Sequence, residues 1–384
     1  MKVALYLENQ NIANVNLRHP ELGNPGVGGT EFNFITLAIE LQRRYPFIDI
    51  TLMAQSTALL PVELKVVQAQ DCLAAVNCAV ERGCELFIWR PTVRADAAEL
   101  ISRLESYAMA FVIWAHNTPQ QEYLAAFAKA TNVKSVVAVG EWQHQSIQYP
   151  AIQSKLTHIY NGFNAVSYQG DVLKDPNLVV YTGSLIPVKG FGLLAQAWPK
   201  VLKKCPTARL LVIGSGQLYD RNATLGPWNI ADEQFENEHI IPFLSTSEGL
   251  PHPSVVFTGI MGIHKIPLLK SAICGVVNPS GKGENCPGSA IEFMASGTAV
   301  VSAASEGVQD IITDGFTGLL GDGVEALSAN LITLLQHPEQ AIKLGENGPW
   351  EVHKRFSYSR ICAQWLAILV AANRLSVEYY VEKH

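Results

Sequence analysis

Two glutamates that flank a short glycine- and proline-rich loop are the residues in this sequence best suited to chemistry. Glu284 stands at the entrance of the loop, and Glu292 lies one turn inside the helix that the loop opens. A helix start presents unpaired backbone N–H groups and the positive end of the helix dipole, which together favour a phosphate. Carboxylates accept hydrogen bonds, which suits sugar and ribose hydroxyls. The pattern therefore indicates a site for a nucleotide-sugar.

The same helix start has a simpler interpretation that stays open at this point. Ser289 and Glu292 have the spacing of a capping box, in which both side chains satisfy only backbone N–H groups. The two interpretations are compatible, because a capped helix start can also receive a phosphate. Cys286 lies in the loop itself, and we interpret it as a packing residue rather than a reactive thiol, although a helix start lowers a thiol pKa.

Length and composition exclude several classes of protein. A chain of 384 residues exceeds one ordinary core, so two domains are expected. A net charge of −6 argues against a nucleic-acid partner. The first apolar run, 3–7, is too short for a signal peptide, and no stretch approaches the ~20 apolar residues of a membrane helix. We expect a cytoplasmic protein with at most peripheral contact at the inner membrane face.

Metal chemistry finds no support in the sequence. The seven cysteines have neither zinc-ligand spacing nor a CxxC motif, and the chain has no Asp-x-Asp motif. We therefore expect no metal and no cofactor.

Short apolar runs alternate with helical stretches along most of the chain. Such near-continuous apolar strands are typical of parallel sheets covered on both faces. The sequence predicts an α/β fold with two doubly wound, Rossmann-like parallel-sheet domains. The predicted strands are 3–7, 50–53, 86–89, 111–114, 136–139, 178–181, 210–213, 255–257, 273–277 and 300–302.

The stretch 161–176 is rich in Gly, Asn and Asp and marks the predicted domain boundary. We predict an acceptor-binding domain over 1–165, a nucleotide-sugar-binding domain over 166–357, and a C-terminal helix, 358–384, that packs back toward the first domain. Ligands of such sheets bind outside the carboxyl ends of the strands, so we expect the two domains to face a cleft. The segment 217–250 has no clear pattern, and its purpose is left open.

Five short motifs occur in a fixed order along the chain. They are 161–164 (N-G-F-N), 183–190 (G-S-L-I-P-V-K-G), 210–216 (L-L-V-I-G-S-G), 284–292 (E-x7-E) and 314–320 (D-G-F-T-G-L-L). In this order they resemble the motifs of the retaining glycosyltransferases of family 4, known as glycosyl transferases group 1, which have the GT-B fold. The resemblance covers residues 1–375.

The resemblance implies a retaining, metal-independent hexosyltransferase of polysaccharide or glycoconjugate biosynthesis. The donor would be a UDP-, GDP-, ADP- or dTDP-linked sugar. The acceptor would be a sugar, a lipid-linked saccharide or a small molecule. Three alternatives remain: a phosphorylase with the same fold, a nucleotide-sugar epimerase, and a catalytically degenerate protein that only binds sugar nucleotides.

The resemblance also implies roles for individual residues. His116 and Glu284 would be the catalytic residues beside the transferred sugar, and Glu292 would hold the ribose hydroxyls. The remaining residues implied in donor binding are Gly28, Gly29, Ser184, Lys189, Lys282, Asn285, Cys286, Pro287, Gly288 and Ser289.

Three positions depart from the family pattern. Ser184 stands where the family has an arginine that neutralises the diphosphate, and serine brings no charge. We hypothesise that Lys282 compensates for it. Cys286 replaces an aromatic residue, and Pro287 removes a backbone donor near the sugar.

Individually, several of these residues have ordinary structural interpretations. The Gly28-Gly29 loop could be a plain turn in which Thr30 caps the following helix. Lys189 could be a solvated side chain, and His116 could hydrogen-bond loop backbone.

Overall fold

The computed structural model describes residues 1–383, with side chains described up to residue 373. The chain divides into two compact units. Unit 1 contains Met1–Glu21, Gly29–Gly162 and Tyr358–His384, and unit 2 contains Leu22–Gly28 and Phe163–Ser357. The short segment Leu22–Gly28 thus belongs to unit 2, although in sequence it lies within the first predicted domain.

Unit 1 is built on a sheet of seven parallel strands in the order β3-β2-β1-β4-β5-β6-β7. Its central strands are wholly buried, which explains why they read as continuous apolar runs. The strands are β1 (Lys2–Leu7), β2 (Asp49–Ala54), β3 (Lys65–Gln68), β4 (Leu86–Trp89), β5 (Ala110–Ala115), β6 (Val133–Ala138) and β7 (Leu156–His158).

Helices cover the sheet of unit 1, and several have clear local causes. Asp71 begins one of them by accepting a hydrogen bond from the backbone N of Ala74 at 2.8 Å. Trp365 of the last helix packs edge-on against Trp114 of β5, with ring centroids 4.9 Å apart. The α-helices are Gly29–Arg44, Cys72–Glu81, Ala95–Arg103, Gln121–Lys129, Glu141–Ser146 and Tyr358–Lys383.

Unit 2 repeats the architecture with six parallel strands in the order β10-β9-β8-β11-β12-β13. Buried aromatic residues fill its core, and Trp198 donates from its indole nitrogen to Ser254 Oγ at 2.9 Å. The strands are β8 (Asp175–Thr182), β9 (Arg209–Ile213), β10 (Val255–Gly259), β11 (Ala272–Val276), β12 (Ala299–Ser302) and β13 (Gly318–Leu320).

The helices of unit 2 are mostly short, apart from two of fourteen residues each. Three-residue 3₁₀ helices lie at Val166–Tyr168, Pro187–Lys189 and Ile263–Lys265, and a π-helix spans Glu236–Ile240. The α-helices are Phe191–Lys204, Glu233–Phe235, Ile241–Leu244, Ile266–Ser271, Gly288–Ala295, Val308–Ile311, Gly323–Gln336, Pro338–Glu346 and Gly348–Phe356.

The predicted fold class, with two doubly wound parallel sheets, is confirmed. All ten predicted strands form, but the sequence missed three edge strands, β3, β7 and β13. These strands have three or four residues and none is fully buried, so they lack a continuous apolar run. In each sheet the strand order reverses beside the first strand, between β1 and β4 and between β8 and β11. Doubly wound sheets bind their ligands at this switch point.

The unpatterned segment 217–250 is organised around one buried carboxylate. Glu236 is fully buried and accepts hydrogen bonds from the backbone N–H groups of Trp228, Ile230 and Ala231 at 2.6, 2.8 and 2.8 Å. These bonds replace the solvation that a buried carboxylate loses. Glu236 therefore fixes the path of this segment.

No helix in the described part of the chain is both long enough and apolar enough to cross a membrane.

Candidate active site

The predicted donor residues of unit 2 lie in the loops that follow its two central strands. The loop after β8 carries Ser184 and Lys189, and the loop after β11 runs through Asn278 to Glu284. Because β8 and β11 are neighbours at the switch point, their carboxyl ends border the crevice typical of this sheet.

An ion pair joins these two loops. Lys189 Nζ lies 2.5 Å from Glu284 Oε1, and the two side chains are 15% and 13% exposed. Asn278 donates from Nδ2 to the same oxygen at 3.0 Å. Burial by itself lowers the pKa of Lys189, but the Glu284 carboxylate and its other neighbours outweigh that effect and raise it. Lys189 is therefore a fixed positive charge at neutral pH rather than a solvated lysine.

Unusual backbone conformations hold Glu284 in place. Asn278 and Glu306 adopt positive φ angles of 30° and 48°, which cost energy outside glycine and cluster at functional sites. Glu306 Oε2 accepts from the backbone N of Glu284 at 3.2 Å. Gly190 has φ 70°, and a Cβ there would lie 2.4 Å from the backbone N of Ser280. The two loops thus approach each other more closely than a side chain at Gly190 would permit.

Glu292 is held by a hydrogen bond and an ion pair from other elements, not by the start of its own helix. Its Oε1 accepts from the Tyr168 hydroxyl at 3.0 Å and lies 2.8 Å from Lys265 Nζ. The helix begins at Gly288, after Pro287 at the N-cap position, and no side chain caps it. The capping-box interpretation is therefore wrong, because Ser289 is already inside the helix.

The helix start keeps free donors for an anion. Among the described residues, the backbone N–H groups of Gly288 and Ser289 donate no hydrogen bond. Both precede the first N–H that can bond within the helix, as expected for its first turn. Asn285 and Cys286 lie half-buried in the loop before it. A Cβ at Gly307 would lie 2.4 Å from the Asn285 carbonyl oxygen, so this loop packs tightly against its neighbour.

Ser184 and Lys282 differ in their exposure to solvent. Ser184 is 1% exposed, and its hydroxyl donates to the Ser215 carbonyl at 3.3 Å, away from solvent. Lys282 is exposed, and within the described residues its side chain forms no ion pair and no hydrogen bond. Lys189 is thus paired with Glu284, whereas Lys282, two residues before Glu284 in sequence, has no carboxylate partner among the described residues.

The glycine loop before the first helix divides between the units. Gly28 ends the segment that belongs to unit 2, and Gly29 begins the helix Gly29–Arg44 of unit 1. Asn24 Oδ1 accepts from the backbone N of Gly26 at 2.8 Å and so forms a tight turn. Arg221 donates to the Gly26 carbonyl. One function of the unpatterned segment is thus to hold this loop.

His116 lies in unit 1, directly after β5. Its side chain is buried against the ring of Trp114, with centroids 4.5 Å apart. Burial, and secondarily the positive charge of Arg90, hold its pKa well below the usual value. His116 is therefore neutral at neutral pH and can act as a hydrogen-bonding group rather than a cation.

A charged cluster at the switch point of unit 1 was missed by the sequence analysis. Glu8 follows β1 and Arg90 follows β4, with 3.7 Å between Oε2 and Nη2. Glu31 lies 3.8 Å from the other guanidinium nitrogen, and Thr92 donates to Glu8 at 3.1 Å. The positions of Glu8 and Arg90 in the sequence could have indicated this cluster, because both come directly after strands that border the switch point.

No group of three or more His, Cys, Asp or Glu side chains within residues 1–373 is placed to hold a metal ion.

Solved structures define the class of this fold. Sucrose-phosphate synthase from Thermosynechococcus elongatus aligns over 96% of this chain and 98% of its own, with a TM-score of 0.73 and 17% identity. HepE from Anabaena, in a complex with UDP-glucose, aligns over 97% and 100% with a TM-score of 0.64 and 17% identity. The fold is therefore the GT-B fold of glycosyltransferases.

Sequence comparison points to the same class. Residues 176–337 match the family of the glycosyl transferases group 1. A D-inositol 3-phosphate glycosyltransferase of Corynebacterium glutamicum is 30% identical over 49% of this chain and 41% of its own length. A GDP-mannose-dependent mannosyltransferase of Mycolicibacterium smegmatis is 26% identical over 46% and 43%. The match thus spans less than half the length of either relative.

Proposed function

We propose that this protein is a retaining, metal-independent glycosyltransferase that moves a hexose from a nucleoside diphosphate sugar to a hydroxyl acceptor in polysaccharide or glycoconjugate biosynthesis. The observation that carries the proposal is the Lys189–Glu284 pair at the switch point of unit 2. The family match of residues 176–337, and the GDP-mannose and UDP-glucose named for similar proteins, support a nucleotide-sugar donor.

In this proposal the diphosphate binds at the start of the helix Gly288–Ala295. The free N–H groups of Gly288 and Ser289 supply neutral donors, and Lys189 supplies a positive charge. Charge develops on the leaving diphosphate as the bond from the sugar C1 to phosphate oxygen breaks. A preorganised cation in a water-poor site stabilises that charge most effectively.

Lys189 must then exchange its partner during the reaction. Without donor it is paired with Glu284, and with donor it faces phosphate, which releases the Glu284 carboxylate toward the sugar hydroxyls. Front-side transfer follows: the acceptor oxygen bonds C1 on the face that the phosphate leaves, and the acceptor proton passes to the leaving phosphate oxygen. The configuration at C1 is thereby retained.

The acceptor would bind at the switch point of unit 1. Neutral His116 offers a hydrogen-bonding group there, and Glu8 and Arg90 offer both acceptors and donors for hydroxyls.

The test is a panel of UDP-, GDP-, ADP- and dTDP-hexoses followed by thermal shift and by release of nucleoside diphosphate. We expect the sugars of one nucleotide to raise the melting temperature, because binding to the native state stabilises it. We expect release of the diphosphate to rise when acceptor sugars are added. Phosphate-dependent release would indicate a phosphorylase, and isomerised donor an epimerase. Binding without any turnover would indicate a degenerate protein, and no response to any donor would refute the proposal.

A further inference from the structure

Three charged side chains meet at the switch point of unit 1 without satisfying one another; we call Glu8, Glu31 and Arg90 the Arg90 cluster. Glu8 Oε2 lies 3.7 Å from Arg90 Nη2, and Glu31 Oε1 lies 3.8 Å from Arg90 Nη1. Both separations exceed the usual length of an N–H···O hydrogen bond, about 2.7–3.2 Å. Among the described residues the Arg90 guanidinium donates no hydrogen bond and the Glu31 carboxylate accepts none. Two gaps therefore separate one guanidinium from two carboxylates.

The Arg90 cluster is only partly open to water. The side chains of Glu8, Arg90 and Glu31 are 16%, 19% and 21% exposed. Tyr6, two residues before Glu8, is 3% exposed, and its hydroxyl has no hydrogen-bond partner in the part of the chain that the structure describes. Burial, and secondarily the Glu8 carboxylate, raise the pKa of Tyr6, which keeps this hydroxyl protonated. Because structural networks of buried polar groups are normally satisfied, so many open donors and acceptors indicate a ligand site.

Sugar hydroxyls fit both gaps of the cluster. A hydroxyl can donate to a carboxylate and accept from a guanidinium at the same time. Atoms 3.7 and 3.8 Å apart leave room for an oxygen that lies about 2.8 Å from each of them. Since the two gaps face the two terminal nitrogens of one guanidinium, they match two neighbouring hydroxyls of one sugar ring.

The charge of the cluster disfavours an anionic ligand. Two carboxylates and one guanidinium give it a formal net charge of −1. Arg94, in the same loop as Arg90, is already paired with Asp96 at 3.2 Å, and the lowered pKa of His116 keeps its ring neutral. A phosphate or carboxylate group on the ligand would therefore meet net repulsion from two nearby carboxylates.

We propose that the Arg90 cluster holds two neighbouring hydroxyls of the acceptor, and that the acceptor sugar is an uncharged one, without a phosphate or carboxylate group. This inference rests on the proposed function, in which the acceptor binds at the switch point of unit 1. It goes further by naming the substrate class of that site and by adding Glu31 to the residues that determine its specificity.

The test measures transfer by the full-length chain with the nucleotide-sugar that thermal shift identifies. Glucose, mannose, galactose, N-acetylglucosamine and myo-inositol are each paired with a monophosphate ester of the same compound, and kcat/KM is obtained from the release of nucleoside diphosphate. We expect the wild type to prefer the neutral member of the best pair roughly 10-fold or more. A deoxy analogue that lacks one of the two neighbouring hydroxyls should lose roughly 10-fold or more, because a charged group then stays unpaired.

Neutral side chains at both carboxylate positions should reverse the discrimination. Glu8→Gln combined with Glu31→Gln changes the formal charge of the cluster from −1 to +1 and keeps groups that accept hydrogen bonds. The phosphorylated acceptor should then gain at least about 10-fold relative to the neutral one. The matched control combines Glu99→Gln with Glu105→Gln, two exposed carboxylates of ion pairs in the same unit, and should leave the ratio within about 2-fold.

Each outcome supports or overturns the inference. If the wild type uses the phosphorylated acceptor as well as the neutral one, if no neutral sugar of the panel accepts transfer, or if the double variant changes both acceptors equally, the inference is wrong and donor binding still stands. Should the double variant not fold, Glu31→Gln alone replaces it, with an expected shift of about 3-fold in the same direction. If no nucleotide-sugar binds the folded wild type, the proposed function itself fails.

Discussion

The ion pair in the site predicts that two substitutions will change nucleotide affinity in opposite directions. Lys189→Met removes a charged donor to the diphosphate, worth about 1.5–3 kcal/mol, so binding should weaken roughly 10- to 150-fold. Glu284→Gln removes the carboxylate that occupies Lys189 at 2.5 Å in the unliganded protein. We expect it to tighten binding, because the ammonium becomes available and the carboxylate no longer repels the phosphate.

The size of the tightening follows from two contributions. Repulsion between a carboxylate and a phosphate charge about 6 Å apart is worth roughly 1 kcal/mol at an effective dielectric constant near 40. Release of Lys189 from a partly exposed pair adds up to about 1 kcal/mol. Together they predict roughly 5- to 30-fold tighter binding. In the Lys189→Met background no ammonium is left to release, so the second contribution vanishes. The gain in binding free energy from Glu284→Gln should then fall by about half.

The assay is calorimetric titration of the preferred nucleoside diphosphate at fixed ionic strength. The control is the exposed pair of Lys200 and Glu325 in the same unit. Lys200→Met and Glu325→Gln change the net charge in the same ways but should leave affinity within about 2-fold. If Glu284→Gln weakened binding as much as Lys189→Met, the carboxylate would not compete with the donor, and the proposed exchange of partners would be refuted.

Three other predictions concern stability, measured by denaturant unfolding and hydrogen exchange in unit 2. Lys174 is a buried lysine whose pKa is lowered to about 8 from 10.5, chiefly by burial. The Lys174 ammonium of the unfolded chain keeps its proton up to a higher pH, so the free energy of unfolding should rise between pH 8 and 10.5. Lys174→Met should raise the free energy of unfolding at pH 7 by up to about 3 kcal/mol and should abolish its rise with pH. Glu236→Ala should cost about 3 kcal/mol or more, because three buried backbone N–H groups lose their acceptor. Gly249→Ala should lower the free energy of unfolding by about 1–2 kcal/mol, because Gly249 has a positive φ. Gly190→Ala should lower it by more, because Gly190 also has a positive φ and a Cβ there would meet the Ser280 backbone. An equal loss of stability in the two glycine variants would contradict the close approach at Gly190. A pH-independent effect of Lys174→Met would contradict the lowered pKa of Lys174, and an unchanged stability of Glu236→Ala would contradict the structural role of Glu236.

Much of the fold could be predicted from the sequence because buried parallel strands are nearly uniform apolar runs. The runs that became β4, β5 and β11 contain no charged residue, so their pattern survives without knowledge of their neighbours. β3 and β13 are short edge strands that are not fully buried, and only their pairing with β2 and β12 defines them. Pairing across the sheet is not visible in local composition.

The candidate site was less predictable because its side-chain partners come from distant parts of the chain. The motif spacing indicated Glu292, but it suggested Ser289 as its local partner. The structure instead provides Tyr168 and Lys265, which are far away in sequence. Glu8 and Arg90 went unnoticed for the same reason, since neither belongs to a short motif. The partners of buried charged groups come from residues that are distant in sequence, so a local sequence pattern does not identify them.

Binding and turnover in Glu284→Gln, measured with the donor that the wild type uses, decide whether this site is the catalytic centre. We expect donor affinity to be at least maintained while acceptor-dependent release of nucleoside diphosphate falls at least about 100-fold, because a group facing the reacting sugar is neutralised. Turnover within about 3-fold of the wild type, with normal donor binding, would contradict the assignment of this site as the catalytic centre.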